Sequence, residues 1–156
     1  MSNDPPYFVS RVQGLCYNSQ KRGIAFLEET GKEDEIDARI TFESLKEKIR
    51  RNLLSRFEYW ISGGVQNKYF HGWPNDARHK ECFVFKWKEA GTNHRLYGFL
   101  INPRPVTLPA YQVCILCSRA HKKDETDPTI LDWMMELRAN EKVIHAIKSA
   151  IPESIR

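Results

Sequence analysis

Arg95 stands near the start of the run HRLYGFLINP, two residues before Tyr97, and His121, Lys122 and Lys123 stand together just past the end of the run YQVCILCS. If the two runs pair as strands of one sheet, a guanidinium, an imidazole and two ammonium groups from distant sequence meet in one neighbourhood. Such a set of cations suits a phosphodiester, whose oxygens accept charge-assisted hydrogen bonds. The same stretch then turns acidic, with Asp124, Glu125 and Asp127 ahead of Pro128. Asp127 is well placed as an N-cap with Pro128 at the first helical position, so HKK can face nucleic acid while DETDP starts a helix. The lysines have a plainer reading as a solvated strand exit with intramolecular ion pairs.

Other chemistries fit less well. The pair Cys114 and Cys117, with His121 four residues on, has the residue types of a zinc or redox site. Side chains alternate along a strand, however, so residues three apart point to opposite faces, and a second ligand pair is missing. Buried free thiols and no metal are expected. The five histidines, at 71, 79, 94, 121 and 145, are scattered. His71 and His79 share one loop and can approach each other, but without a carboxylate or thiol at diagnostic spacing they read as surface residues. Phosphate loops, dinucleotide fingerprints, nucleophile elbows and zinc-protease helices are absent, and no cofactor is expected.

The elements that must position these groups follow from periodicity. MSNDPP is a short polar tail, and YFVSRVQGLCY reads as a first strand. Ile24 and Leu27 at helical spacing predict a short helix over 24–30, stopped by Gly31, with KEDEIDAR a charged connector. From Thr41, a plausible N-cap, apolar residues recur every three or four positions to Ile61, predicting one amphipathic helix ended by Gly63 and Gly64. Lys46, Lys48, Arg50, Arg51 and Arg56 occupy its remaining surface, where they serve either solubility or a functional basic face. Residues 65–80 form a long loop. ECFVFKWKE then alternates, with Phe83, Phe85 and Trp87 on one face and Lys86 and Lys88 on the other. AGTN makes the turn of a β-hairpin, HRLYGFLINP returns, and the proline-broken RPVTLPA leads to YQVCILCS in antiparallel order. A terminal helix follows Pro128, with a break at Asn140. The sum is α+β in a single domain, with residues 1–6 a flexible tail and 7–150 the folded part.

Composition is that of an ordinary globular protein: 41% hydrophobic and 28% charged residues, with a net charge of +4. That charge permits nucleic-acid binding without demanding it. No apolar run is long enough to span a bilayer, the start lacks a secretory signal, and four cysteines are compatible with reduced thiols, so a cytoplasmic protein is expected.

RLYGFL at 95–100, the apolar strand at 111–116 and KKDETDP at 122–128 opening a helix, in that order, resemble the HigB-like branch of the RelE/ParE toxin superfamily. The resemblance covers about residues 24–138 and includes the order of helices, SGG and three strands. It implies a RelE-like fold, a small antiparallel sheet packed against N-terminal helices and a C-terminal helix. It also implies a phage-derived toxin of a toxin–antitoxin system: a metal-independent endoribonuclease, or mRNA interferase, that cuts mRNA on the ribosome and is neutralised by a helix-turn-helix antitoxin. By matched position Arg95 is the phosphate clamp, and Lys122 and Lys123 bind or stabilise the scissile region. Tyr97 stacks on a base or donates a proton, and His121 transfers protons. Lys46, Arg50, Lys86 and Lys88 are the candidate RNA contacts. The chain departs from the pattern in its extra N-terminal segment, its enlarged loop with FHGWPND and its acids at 124, 125 and 127. The acids and the lack of an unambiguous general base favour an alternative, a non-catalytic binding protein of the same fold, either a ParE-like inhibitor or a phage-derived relative without cleavage.

Overall fold

The computed structural model describes residues 6–15, 21–119 and 128–151. Its strands are β1 (Tyr7–Arg11), β2 (Arg22–Glu29), β3 (Phe70–Gly72), β4 (Cys82–Glu89), β5 (Thr92–Ile101) and β6 (Gln112–Arg119). Its helices are α1 (Ala38–Ser44), α2 (Glu47–Ile61), α3 (Pro128–Ala139) and α4 (Glu141–Ala150). The six strands form one sheet in the order β1-β2-β6-β5-β4-β3. Every neighbouring pair is antiparallel except β2 and β6, which run parallel, so the sheet is mixed rather than purely antiparallel. Among the described residues no helix is long and apolar enough to cross a membrane.

Alternation along the strands builds two cores, one on each face. Ala25, Leu27, Val84, Phe99 and Ile115 pack with Met134 and Leu137 of α3 and with Val143 and Ile147 of α4. Ile24, Phe26, Phe85 and Leu116 pack on the opposite face with Phe42 of α1 and Leu53, Phe57 and Trp60 of α2. The second core is aromatic, with Phe57 edge-on to Phe85 at 4.7 Å and Trp60 tilted against Phe83 at 5.4 Å. Helices therefore cover both faces of a largely antiparallel sheet, an α+β arrangement. Phe83, Phe85 and Trp87 do share one face, as their spacing predicts.

Three expectations fail for identifiable reasons. Residues 24–30 are not a helix but most of β2, whose Ile24 to Leu27 are buried alternately in the two cores. A strand covered on both faces reads as a continuous apolar run, and over four residues that run matches helical spacing equally well. The helix expected from Thr41 to Ile61 is two helices, broken where Leu45 and Lys46 turn extended at ψ 148° and 146°. Thr41 lies inside α1, whose start is at Ala38. The long loop contains the edge strand β3, too short at three residues to give a period.

The hairpin between β4 and β5 turns through Ala90 and Gly91, both at positive φ, the geometry of the tight turns that match strand twist. Between β5 and β6 the register shifts: Tyr97 faces Ser118 and Gly98 faces Leu116, so Cys117 is the extra residue of a bulge. Cys114 and Cys117 lie in opposite cores and are free thiols. Burial pushes both well above the usual thiol range. The break at Asn140 is a cap, its side chain accepting from the backbone N–H groups of Lys142 and Val143. Asp127, expected to cap α3, lies outside the described residues.

Candidate functional site

At the end of the sheet nearest the β4–β5 turn, Lys86 and Arg95 are direct cross-strand partners. Alternation sends both toward the face that carries Val84 and Tyr97. Like charges directly opposite one another on a sheet repel. The antiparallel register of β5 and β6 sets Leu96 against Arg119, which brings the exit of β6 level with Arg95 as the sequence predicts. His121, Lys122 and Lys123 themselves lie outside the described residues.

The edge strand adds a residue that sequence reasoning left on the surface. β3 pairs with β4 so that His71 faces Val84, two residues from Lys86 and on the same face. His71 Nδ1 is 2.9 Å from the carbonyl oxygen of Gly72. A carbonyl only accepts, so Nδ1 carries the proton in that contact and Nε2 presents a lone pair. Burial lowers the His71 pKa first, and the charges of Lys86 and Arg95 lower it further, against the opposing effect of the Gly72 hydrogen bond. His71 is thus kept neutral near pH 7, a basic nitrogen beside two cations. Trp73 packs edge-on to it at 4.9 Å. The Lys86 pKa is lowered as well, by burial and then by Arg95.

Tyr97 takes a different part from the one expected. It is 1% exposed, and its ring stacks on Trp73 at 6.3 Å, which leaves no face for a base. Its hydroxyl lies 3.4 Å from Arg95 Nη1, where it accepts from the guanidinium. Tyr97 therefore orients Arg95 instead of stacking on a ligand.

At the same sheet end lies a groove of about 530 Å³. Arg56, Lys68, Lys86, Lys88 and Arg95 line it, and none of its described lining residues is acidic. Arg56 is held by a hydrogen bond to the Lys86 carbonyl and by its position 4.0 Å over the Tyr69 ring. Of the four residues expected to contact RNA, Lys86 and Lys88 line the groove, whereas Lys46 and Arg50 do not. Lys46 is the exposed N-cap residue of α2, and Arg50 donates to the Leu45 carbonyl at 3.4 Å.

His79, the other loop histidine, is 6% exposed and tied down. Nδ1 meets Asp76 Oδ2 and Nε2 meets Asp132 Oδ1, both at 2.7 Å, and the two carboxylates raise its pKa. The imidazolium so favoured fastens the loop to α3, away from the cations. No group of histidine, cysteine and carboxylate side chains able to hold a metal occurs among the described residues. Comparison with known proteins returned no matching family model, no matching curated protein and no matching solved structure.

Proposed function

We propose that the chain is a ribonuclease of toxin type, cutting RNA through its ribose 2′-hydroxyl at the sheet end formed by β3, β4 and β5. One observation carries this reading: His71, with Nδ1 turned to the Gly72 carbonyl, shares a sheet face with the opposed cations Lys86 and Arg95. RNA cleavage of this kind needs a base for the 2′-hydroxyl, positive charge around the crowded phosphate and an acid for the departing oxygen. His71 Nε2 takes the 2′ proton and the 2′ oxygen attacks the adjacent phosphorus. The bond to the 5′ oxygen breaks, leaving a 2′,3′-cyclic phosphate, and Lys86 gives that oxygen its proton. Arg95, held by Tyr97, presents paired donors to the phosphate oxygens.

The order of two helices, strands and a terminal helical segment is in keeping with the resemblance to HigB-like toxins, with β3 added between α2 and β4 and two strands ahead of the helices. On that reading the substrate is mRNA on the ribosome, and the partner is a helix-turn-helix antitoxin that covers the cations. The burial of Tyr97 favours the competing reading, a binder without cleavage, since it removes a hydroxyl that would otherwise reach the leaving oxygen.

The test is to express the chain without a partner and map new RNA 5′ ends, with His71→Ala and Arg95→Ala as controls. Wild type should create new ends, and His71→Ala should slow cleavage about 100- to 10,000-fold. The rate should rise with pH through a value below the ordinary histidine value of 6.5. Soluble, folded wild type that yields no new ends sinks the ribonuclease reading in favour of the binder.

A further inference from the structure

Cleavage at His71 leaves a second buried histidine unused. Each nitrogen of His79 meets a carboxylate oxygen at 2.7 Å, Asp76 Oδ2 in its own turn and Asp132 Oδ1 on α3. Ionised carboxylates only accept, so both contacts are hydrogen bonds only while the ring carries both protons. A neutral ring has one N–H and turns a lone pair on the other oxygen, so one contact then opens. Around the cluster, Arg78 Nη2 is 2.9 Å from the same Asp132 oxygen, while Lys80 and, one turn along α3, Glu136 are exposed. Cys82 of β4 is a neutral thiol, pushed up to about 12 by burial and then by Asp76 and Asp132. Beyond it lie Glu81 and Arg138, 3.9 Å apart.

A continuous set of contacts runs from this cluster to His71. The Asp76 carboxylate also accepts from the backbone N–H of Arg78 at 3.0 Å, and the Asp76 N–H donates to the Trp73 carbonyl at 3.1 Å. The backbone N–H of His79 returns to the Asp76 carbonyl at 3.0 Å, closing the turn 73–79. Trp73, at the head of that turn, packs edge-on to His71 at 4.9 Å and stacks on Tyr97 at 6.3 Å. We infer that His79, with both nitrogens protonated, is a positioning residue for His71: it ties the turn 73–79 to α3, and the turn holds Trp73 against the His71 ring. The inference rests on the reading of His71 as the base, though the positioning itself does not require cleavage. Once His79 is neutral and its Asp132 contact has opened, the remaining tie is the exposed Arg78–Asp132 pair, which is worth little. The two histidines are pushed in opposite directions, His71 down chiefly by burial and His79 up by its hydrogen bonds to Asp132 and then Asp76. The competent state needs His71 neutral and His79 charged. It therefore occupies a pH window that opens as pH rises through the His71 value, below 6.5, and closes as pH rises through the His79 value, above 6.5. A histidine remote from the reacting atoms sets the alkaline limit.

The experiment is ring-nitrogen NMR of the histidines of the full chain from about pH 5 to about pH 9.5, with RNA cleavage rates over the same range. Wild type is compared with His79→Gln, which cannot titrate, and with Asp132→Asn, which removes the anchor charge on α3. Thermal melts establish that each variant is folded. In wild type the His71 signals should show two inflections, its own and a second that coincides with the His79 titration, where the Nδ1–H form gives way to a mixture of tautomers. Both variants should lose the second inflection. Wild type should cut about tenfold faster than His79→Gln near about pH 7, and the two rates should converge toward the alkaline end. An alkaline limit set by Lys86 would instead remain in His79→Gln. His71 signals with no second inflection, a second inflection that persists in His79→Gln, or a rate ratio constant with pH each overturn the proposal. If only the first of these is found and wild type still cuts RNA, the ribonuclease reading survives alone. Two inflections in a protein that cuts no RNA sustain the positioning of His71 and remove the ribonuclease reading.

Discussion

Gly98 sits at the β5–β6 bulge, where the backbone of β6 comes so close that a methyl group has no room. A Cβ at this position would lie 2.1 Å from the Ile115 carbonyl oxygen and 2.8 Å from its carbon. Both contacts are backbone atoms of a central strand, so no rotamer change relieves them. Ordinary contact begins near 3.4 Å. In Gly98→Ala the strands must part by about 1.3 Å, enough to take neighbouring ladder hydrogen bonds beyond their usual length. Two weakened hydrogen bonds at roughly 1 kcal/mol each, with the overpacking of a tight core, give a loss of about 3 kcal/mol. At this chain length that lowers Tm by about 6–12 °C. Gly31→Ala is the matched control, because Gly31 has φ +81° and nothing within 4 Å of the added Cβ, leaving only the left-handed backbone cost of about 1 kcal/mol. Thermal unfolding followed by circular dichroism compares the two directly. A Gly98→Ala protein that melts no lower than Gly31→Ala would refute the claim that close backbone approach, rather than backbone conformation, requires the glycine.

Two further outcomes follow from the charges. His79 has a raised pKa in the fold, so its stabilisation is fully present below the unfolded value of 6.5 and lost as pH rises through the folded value. The Tm gap between wild type and His79→Gln should therefore be wider near about pH 5.5 than near about pH 8.5; a gap that widens toward alkaline pH contradicts the two-carboxylate clamp. Lys86→Met removes a charge opposed to Arg95 and should stabilise the fold by about 0.5 kcal/mol, a rise of about 1–2 °C, while abolishing RNA cleavage. A lower Tm would mean that the Lys86 contact with the Asn67 carbonyl outweighs the repulsion.

The sequence was most legible where one face of an element is apolar and the other polar. β4, with its aromatics on one side and lysines on the other, could be read residue by residue, as could the AGTN turn and the Asn140 break. β2 could not, because burial on both faces erases alternation and leaves a four-residue run that any apolar element can satisfy. The parallel pairing of β2 with β6 was hidden for a related reason, since registry between strands some 90 residues apart has no local signal. The site shows the same division. Arg95 and Lys86 were visible from strand alternation, whereas His71 required the short edge strand that carries it. His79 looked like its neighbour in sequence, and only the placement of Asp132 on α3 distinguishes a clamped structural histidine from a basic one.

Three buried side-chain polar atoms among the described residues lack a hydrogen-bond partner, Ser10 Oγ on the edge strand β1, Trp87 Nε1 and Arg119 Nε. Most of the sheet is consistent between levels, with apolar strands and two filled cores. At the β4–β5 end, Lys86 faces Arg95, which repels it, and Trp87 keeps a buried N–H without a partner. Arg119, paired with Leu96 beside Arg95, keeps a buried Nε without one as well. Each feature alone is a minor cost, and each would be removed by an ordinary substitution such as methionine or phenylalanine. Sequences specify their folds through agreement between levels and break it where a ligand supplies the missing term. The facing cations Lys86 and Arg95 lie on the sheet face that carries His71, whereas Trp87 lies on the opposite one, so the two departures have separate surroundings.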